Sequence, residues 1–307
     1  MGPLPYLDLN SWLRQRFGER VQKVTLDAGL TCPNRDGRVG VGGCLYCNAR
    51  GSGTGAFGQG LSIKGQLAQG IERLARRYGA AKFIAYLQSF SNTYAPLARL
   101  EAIYREALAH PQVVGLAVGT RPDCLADEVL DLLADLARDR LVWLELGLQS
   151  AHDETLGRLN RGHDVACFTN AVHRAAGKRL PVVAHVILGL PGEGREHMLA
   201  TARYLAGLPI AGVKLHLLYI IKGSGIEALY RQGDYEPLTA EAYVSLVVDF
   251  LELLPPHLVI HRLTGDPHPE ELVAPAWCRD KSRVLAHIRE EFTRRGSWQG
   301  RLCGGGG

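Results

Sequence analysis

Short β-branched runs alternate with amphipathic helical segments along this chain, and this alternation restricts the fold most strongly. Ser62 can cap one helix, and the apolar residues between Leu125 and Leu136 form the stripe of another. Strand–helix alternation implies a parallel sheet with right-handed crossovers. Six such units predict an α/β fold, a partial (β/α)6 TIM-like barrel, rather than the closed barrel of about eight. The predicted strands are Val21–Asp27, Lys82–Gln88, Val113–Gly119, Leu141–Leu146, Pro181–Leu188 and Gly212–Tyr219.

The C-terminal part of the sequence has a different pattern. No repeat, low-complexity linker or domain break is visible before about residue 235. We therefore expect a barrel core with its N-terminal segment over residues 1–235 and a helical C-terminal extension over 236–307 that packs on the barrel. Thr239–Leu254 and Lys281–Arg295 are its predicted helices, and Gly304 to Gly307 are expected to be disordered.

Composition and charge exclude some classes of protein. Apolar residues make up 46% of the chain and charged residues 21%, as in ordinary globular proteins. No apolar run approaches the length of about 20 residues that spans a bilayer, and no secretory signal is visible, so we expect a cytoplasmic protein. Seven cysteines without an export signal argue against a disulfide framework. The net charge of +4 permits a nucleic-acid partner without requiring one.

The predicted strands carry polar residues on one face. In Leu141–Gln149 the leucines at every second position share one face, and Glu145 and Gln149 share the other. Because helices cover the outside of a β/α barrel, the polar face should point into the lumen. A polar lumen is costly unless a polar ligand fills it; a water-filled or self-paired interior is the alternative. The residues expected to face inward are Gln88, Arg121, Glu145, Gln149, Lys214 and His216.

Three cysteines lie close together directly after the first strand. Cys32, Cys44 and Cys47 follow its carboxyl end, where the active sites of β/α barrels lie. Three thiolates without a fourth ligand nearby suit a [4Fe–4S] cluster with one open iron, which S-adenosylmethionine (SAM) can chelate. A structural zinc site needs four ligands, and Cys278 or Cys303 would have to supply the fourth from afar.

The cysteine spacing, CX11CX2C in CPNRDGRVGVGGCLYC, recurs in a known family together with later landmarks. With them the chain resembles the YhcC/YtqA-like radical SAM proteins, a branch close to the elongator-protein-3-like enzymes, from about Val21 to Cys278. The later landmarks are VGTRPDCL (118–125), WLELGLQSAHDETLGRLNRGHD (143–164), HVILGLPGEG (185–194), GVKLHLLYIIKGS (212–224) and LVAPAWC (272–278).

This resemblance implies an activity and its cofactors. It implies a [4Fe–4S] cluster on Cys32, Cys44 and Cys47, and reductive cleavage of SAM to a 5′-deoxyadenosyl radical that abstracts a substrate hydrogen. A flavodoxin or ferredoxin-type protein would supply the electron. Two other possibilities stay open, a radical SAM enzyme that acts on a small metabolite or peptide, and a non-catalytic, metal-stabilised binding protein.

The resemblance also suggests which residues contact SAM. Tyr46 is placed to pack on the adenine, or alternatively in the core. Gln88 resembles the anchor of the SAM amino group, although the usual Gly-Gly-Glu is missing there. Arg121 is suited to pair with the SAM carboxylate, or alternatively with Asp123.

Strands four to six supply the remaining predicted site residues. Glu145 and Gln149 resemble contacts to the ribose and the methionyl group, and the backbone at Ile187 and Gly189 resembles the segment that borders adenine. Lys214 and His216 lie further round the barrel and are the candidate catalytic residues near the substrate. Structural pairing with Glu145 is the alternative for both.

A tRNA, modified on the side chain of its wobble uridine, is the substrate that the resemblance implies. YtqA-like proteins are linked to conversion of its carboxymethylaminomethyl group to aminomethyl. Basic residues expected around the opening would follow the phosphate backbone, unless they pair with nearby acidic residues. They are Arg35, Arg38, Arg50, Arg279, Lys281, Arg283 and Arg289.

Overall fold

The computed structural model describes residues 4–48, 51, 56–88 and 90–303. Within this part of the chain the main sheet has seven strands, all parallel to their neighbours, in the order β1-β2-β3-β4-β5-β6-β8. A second, antiparallel pair is formed by β7 and β9. The strands are β1 (Val21–Leu26), β2 (Lys82–Leu87), β3 (Val113–Thr120), β4 (Leu141–Gln149), β5 (Val182–Leu188), β6 (Gly212–Leu217), β7 (Ile220–Ile221), β8 (Val259–Arg262) and β9 (Leu272–Ala274).

Helices connect consecutive strands of the sheet. The helix predicted to be capped by Ser62 begins there, because Ser62 Oγ accepts a hydrogen bond from the Gly65 amide. Thr239 caps the first predicted C-terminal helix in the same way, since its Oγ1 accepts a hydrogen bond from the Ala242 amide. The helices are α1 (Leu9–Phe17), α2 (Ile63–Tyr78), α3 (Leu97–Leu108), α4 (Asp127–Leu136), α5 (Asp153–Arg158), α6 (Val165–Gly177), α7 (Arg195–Ala206), α8 (Gly225–Gln232), α9 (Ala240–Glu252) and α10 (Lys281–Arg295).

The sheet is an open half-barrel, so the predicted fold class is confirmed. The predicted number of strands was too small, since β8 pairs with β6 as a seventh strand. This strand has four residues, and two of them, His261 and Arg262, are polar and point into the lumen. A run so short and half polar does not show the apolar pattern of a buried parallel strand.

The main apolar core lies between the sheet and the helices. Leu144, Leu146 and Leu148 on β4 are fully buried in it, as are residues of the helices that cover the sheet. The predicted outward face of this strand is therefore confirmed. The opposite face, which carries Glu145 and Gly147, lines the lumen.

Helix α1 closes the amino-terminal end of the barrel. The Asp8 carboxylate caps it by accepting hydrogen bonds from the amides of residues 10 and 11. Leu13 is buried against Val21, Leu141 and Trp143, which lie near the starts of β1 and β4. Helix α1 therefore covers the lumen at the amino ends of these strands. This helix was not predicted from the sequence.

The predicted C-terminal extension joins the barrel through several elements. Its two predicted helices are confirmed as α9 and α10, which pack on each other, while β8 adds a strand and β9 pairs with β7. The domain boundary near residue 235 stays a prediction, and Gly304–Gly307 lie outside the described residues. Among the described helices, none has the length and apolar character needed to cross a membrane.

Candidate active site

A cavity of about 330 Å³ opens at the carboxyl ends of the strands. Its wall consists of the inward side chains of β2 to β6 and β8 and of the loop that follows β1. All six residues predicted to face inward line it: Gln88, Arg121, Glu145, Gln149, Lys214 and His216. Ligand sites of β/α barrels lie at this end of the strands.

The loop after β1 brings Cys32, Cys44 and Cys47 to the mouth of this cavity. A turn starts at Cys32, whose carbonyl accepts a hydrogen bond from the Arg35 amide (2.9 Å). The loop then doubles back, since the Gly43 amide donates to the Asn34 carbonyl at 2.8 Å. A further turn joins the Cys47 amide to the Cys44 carbonyl (2.9 Å). The eleven residues between the first two cysteines thus form a folded loop whose two ends are hydrogen-bonded to each other.

Buried donors surround the Cys44 thiol. Arg161 Nη1 lies 3.4 Å from Cys44 Sγ and 3.0 Å from the Tyr46 hydroxyl, and Asn34 Nδ2 lies 3.6 Å from the same sulfur. The hydrogen bond with Cys47 and the charge of Arg161 hold the pKa of Cys44 well below its usual value, although burial opposes this shift. Arg161 thus places a positive charge beside this sulfur, which favours the thiolate, the form that binds metals.

A glycine lets Arg161 reach this position. The second guanidinium nitrogen, Nη2, donates to the Gly147 carbonyl at 2.8 Å. A Cβ at residue 147 would lie 3.0 Å from this nitrogen and 2.5 Å from Gln149 Nε2. Gln149 itself has φ = 74°, a left-handed conformation that is rare for residues other than glycine. The backbone at the end of β4 therefore departs from regular pairing with β5 and leaves room for the cavity.

The floor of the cavity holds a buried carboxylate between cations. Glu145 Oε1 accepts hydrogen bonds from Lys23 Nζ (2.6 Å) and Trp143 Nε1 (3.1 Å). Its Oε2 accepts from Lys214 Nζ and contacts His185 Nε2, both at 2.8 Å. Burial opposes ionisation, but the charges of Lys214 and Lys23 prevail and hold the pKa of Glu145 well below its usual value.

Comparison with known proteins identifies the family. A model of the radical SAM superfamily matches residues 34–205, more than half of the chain. This chain belongs to the radical SAM superfamily. A model of the radical SAM C-terminal domain matches residues 210–294.

The radical SAM relatives match nearly the full length of the chain. It is 42% identical to YtqA of Bacillus subtilis over 97% of this chain and 92% of that protein. It is 40% identical to YhcC of Escherichia coli K12 over 92% and 91%. The resemblance to the YhcC/YtqA-like family is confirmed. Elongator complex protein 3 of Saccharomyces cerevisiae is 33% identical over 62% of this chain but only 34% of its own length. The archaeal Elp3 structure from Methanocaldococcus infernus shares the fold, with a TM-score of 0.71 and 17% identity over 91% of this chain and 64% of that one.

Radical SAM proteins carry a [4Fe–4S] cluster and bind SAM, and the cysteine site fits this cluster. Within the described residues, no three His, Cys, Asp or Glu side chains converge closely enough for a single metal ion. In a [4Fe–4S] cubane each thiolate binds a different iron, so three cysteines at the cavity mouth can hold one without meeting at a single point. Cys278 donates a hydrogen bond to the Pro275 carbonyl at 3.1 Å, and neither Cys278 nor Cys303 lines the cavity where the three cysteines lie.

The arginine after β3 fits an anionic ligand beside the cysteines. Arg121 makes the alternative contact foreseen from the sequence, with Nε and Nη2 at 2.9 and 2.8 Å from the Asp123 carboxylate. Its third nitrogen, Nη1, is buried without a hydrogen-bond partner among the described residues. A buried unpaired guanidinium nitrogen is costly, and a carboxylate such as that of SAM would satisfy it.

The other residues predicted to contact SAM have different surroundings. Tyr46 lines the cavity and also packs on the apolar cluster that contains Ile187. Gln88 and Ile187 line the cavity, but Gly189 is not in its wall; the Gly189 carbonyl accepts a hydrogen bond from the Tyr235 hydroxyl (2.7 Å). The carboxylate of Glu145 already has four partners. The SAM contacts of all these residues stay predictions.

The two candidate catalytic residues lie deeper, on β6. Lys214 makes the structural pairing with Glu145 and also donates to the Tyr86 hydroxyl at 2.7 Å. Burial lowers the pKa of Lys214 to about 7, although Glu145 opposes the shift. Burial, followed by the charge of Arg262, lowers the pKa of His216 well below its usual value. Their catalytic roles stay predictions.

Several residues of this site were not predicted from the sequence. Arg161 lies within a quoted landmark, GRLNRGHD, and a charged residue beside a glycine in that motif was the available signal. Lys23 alternates with apolar residues on β1, so the period of two could have placed it in the lumen. His185 is on the inward face of β5 by the same period, whereas Arg262 follows no such pattern.

Proposed function

We propose that this radical SAM enzyme modifies the wobble uridine of a tRNA, by converting a carboxymethylaminomethyl group to aminomethyl. When bound, the cluster and SAM would supply the radical that abstracts hydrogen from the carbon between the amine and the carboxylate. Return of a second electron to the oxidised cluster and addition of water would then break the bond between this carbon and the nitrogen and release the carboxymethyl group as glyoxylate. The full-length similarity to YtqA supports the proposal through the family resemblance. A flavodoxin or ferredoxin-type protein is the proposed electron donor.

The observation that carries the tRNA proposal is an arginine–aromatic pair in the cavity wall. The Arg35 guanidinium lies 5.4 Å from the centre of the Phe90 ring, and both residues line the cavity. Arg38, in the same loop as Arg35, lies 5.9 Å from the ring of Tyr94, which is in the segment between β2 and α3. Single-stranded RNA loops are recognised by stacking of splayed bases on aromatic rings and on arginine planes.

The basic residues predicted around the opening differ in their exposure and in the residues they contact. Arg279 and Arg283 are exposed, and Lys281 lies 3.4 Å from Asp266, a residue of the cavity wall. Arg289 instead interacts with Tyr6 in the N-terminal segment, so its placement at the opening was wrong. Arg50 lies outside the described residues. Arg35, Arg38, Arg279, Lys281 and Arg283 are the proposed phosphate contacts.

Deletion of the gene should leave the carboxymethylaminomethyl nucleoside accumulated and the aminomethyl form depleted. Mass spectrometry of tRNA nucleosides measures both, and a plasmid-borne Cys44→Ala copy is the control that should not restore the profile. The reconstituted enzyme should convert a carboxymethylaminomethyl anticodon stem-loop, with binding that weakens steeply as salt rises. An unaltered wobble-uridine profile, in an organism without a second route, would redirect the search to small-molecule substrates.

Arg121→Ala should weaken SAM binding by about tenfold or more, because a charge-assisted hydrogen bond contributes about 1.5–3 kcal/mol. Calorimetry on the reconstituted enzyme measures this affinity. Asp123→Asn is the matched control, since it removes the ion-pair partner and leaves the guanidinium in place. An equal loss in both variants would assign Arg121 to a structural ion pair only.

A further inference from the structure

Arg262 is turned into the lumen by an irregularity of the last strand. Opposite β6, Val213 pairs with Ile260 but Lys214 pairs with Arg262, so His261 is an extra residue between the two pairs. Ile260 is buried in the outer core, and regular alternation would send Arg262 outward as well. The bulge instead places Arg262 in the cavity wall beside Lys214.

In the part of the chain that the structure describes, the guanidinium of Arg262 is incompletely hydrogen-bonded. Its Nε and Nη2 atoms are buried and have no hydrogen-bond partner among the described residues. Guanidinium remains protonated in proteins, so the charge persists inside the barrel. A buried charge without a partner is strongly unfavourable, which indicates that a ligand completes this site.

The surrounding charges favour an anion. Lys23, Lys214 and Arg262 face one deeply buried carboxylate, Glu145, and the two lysines already occupy both of its oxygens. Asp266 in the cavity wall lies 3.4 Å from Lys281. Glu145 is therefore already engaged by the two lysines, and no acidic side chain among the described residues is hydrogen-bonded to the Nε or Nη2 atom of Arg262.

We propose that Arg262 binds a carboxylate of the substrate, with His216 and Lys214 in the wall beside it. The identity of this carboxylate rests on the proposed function, since a carboxymethylaminomethyl group ends in one. A planar guanidinium matches a carboxylate through two parallel hydrogen bonds. Arg121 lies beside the cysteines after the third strand, whereas Arg262 is on the last strand of the sheet. Two arginines thus serve two carboxylates, that of SAM and that of the substrate.

The test compares two anticodon stem-loops bound to the reconstituted, full-length enzyme with SAM. One carries carboxymethylaminomethyluridine and the other its neutral methyl ester, and fluorescence anisotropy measures both Kd values. The wild type should bind the carboxylate about 10- to 100-fold more tightly than the ester. Arg262→Gln should remove this preference and leave the affinity for the ester unchanged. Arg262→Lys should retain only part of it, because lysine lacks the planar fork.

Arg138→Gln is the matched control, because Arg138 is an exposed arginine paired with Asp135 on the outer surface. It should keep the full preference. Thermal unfolding shows whether Arg262→Gln is folded; if it is not, a reduced preference in Arg262→Lys decides the matter. A preference that persists in folded Arg262 variants would overturn the inference and leave the tRNA proposal standing. A site that reads backbone phosphate instead would lower binding of both loops equally in Arg262→Gln, which also overturns it.

A second probe separates failure of the inference from failure of the tRNA proposal. If the wild type binds neither loop, the tRNA proposal fails, and N-methylglycine replaces the loops as the smallest analogue of the substituent. Ligand-observed NMR should then show binding to the wild type and to Arg138→Gln but not to Arg262→Gln. No binding to the wild type, or equal binding to all three proteins, would overturn the carboxylate site.

Discussion

Cys44→Ala is expected to lose the iron–sulfur cluster and all cleavage of SAM. Its thiol is buried, receives hydrogen bonds from Arg161 and Asn34, and has a pKa held low by the hydrogen bond with Cys47 and by Arg161. Removal of one of three thiolates leaves an iron of the cluster without its ligand. Iron analysis and 5′-deoxyadenosine formation after anaerobic reconstitution measure the two losses, and Cys32→Ala and Cys47→Ala should behave alike.

The other cysteines provide matched controls for this experiment. Cys167 is half-buried on α6 and Cys303 is exposed, and neither lines the cavity. Alanine at either position should leave the iron content and SAM cleavage unchanged. Cys124 is buried, and burial raises the pKa of its thiol to about 12, so it is not a thiolate at neutral pH. Full iron occupancy in Cys44→Ala would overturn the assignment of the cluster ligands.

The fold was largely predictable because its strands and helices are long enough for their periods to be visible. The alternation of Leu144, Leu146 and Leu148 with Glu145 gave both the strand and its inward face. Helix α1 was not predicted because the N-terminal segment was treated as a whole, although Asp8 is an ordinary N-cap. Strand β8 was not predicted because it is stabilised by pairing with β6, and this contact joins residues far apart in the sequence.

The site was predictable where a motif or a regular strand placed the residue. Cys32, Cys44 and Cys47 follow from their spacing, and the inward direction of Lys214 follows from a period of two. The partners of these residues are set by tertiary contacts. The hydrogen bond from Arg161 to Cys44 joins residues 117 positions apart. It depends on Gly147, where a side chain would collide with the guanidinium, and the sequence does not show this proximity. A bulge reverses the direction of the Arg262 side chain, and strict alternation along the strand predicts the opposite direction.

Glu145→Gln should destabilise the protein by about 3–5 kcal/mol, because the buried lysines lose their counter-charge and must either stay charged without a partner or give up protons that the unfolded chain holds. The side chain of Glu145 is fully buried, between Lys23 and Lys214. Glutamine keeps the size and shape of the side chain, so the loss measures charge rather than a cavity. Urea unfolding of wild type and variant at pH 7 gives the difference in the free energy of unfolding.

This deficit should grow as the pH falls from 7 to 5. In the wild type, Lys214 has a pKa of about 7, so below pH 7 its folded form takes up the proton that the unfolded form already holds. Below pH 7, therefore, protonation of Lys214 no longer changes the free energy of unfolding of the wild type. In the variant, the carboxylate that raised this pKa is gone, so the folded state stays deprotonated to lower pH and stability continues to fall. Glu72→Gln, an exposed glutamate on α2, should show no such change. A deficit that stays constant over this range would show that Glu145 does not hold the charge of Lys214.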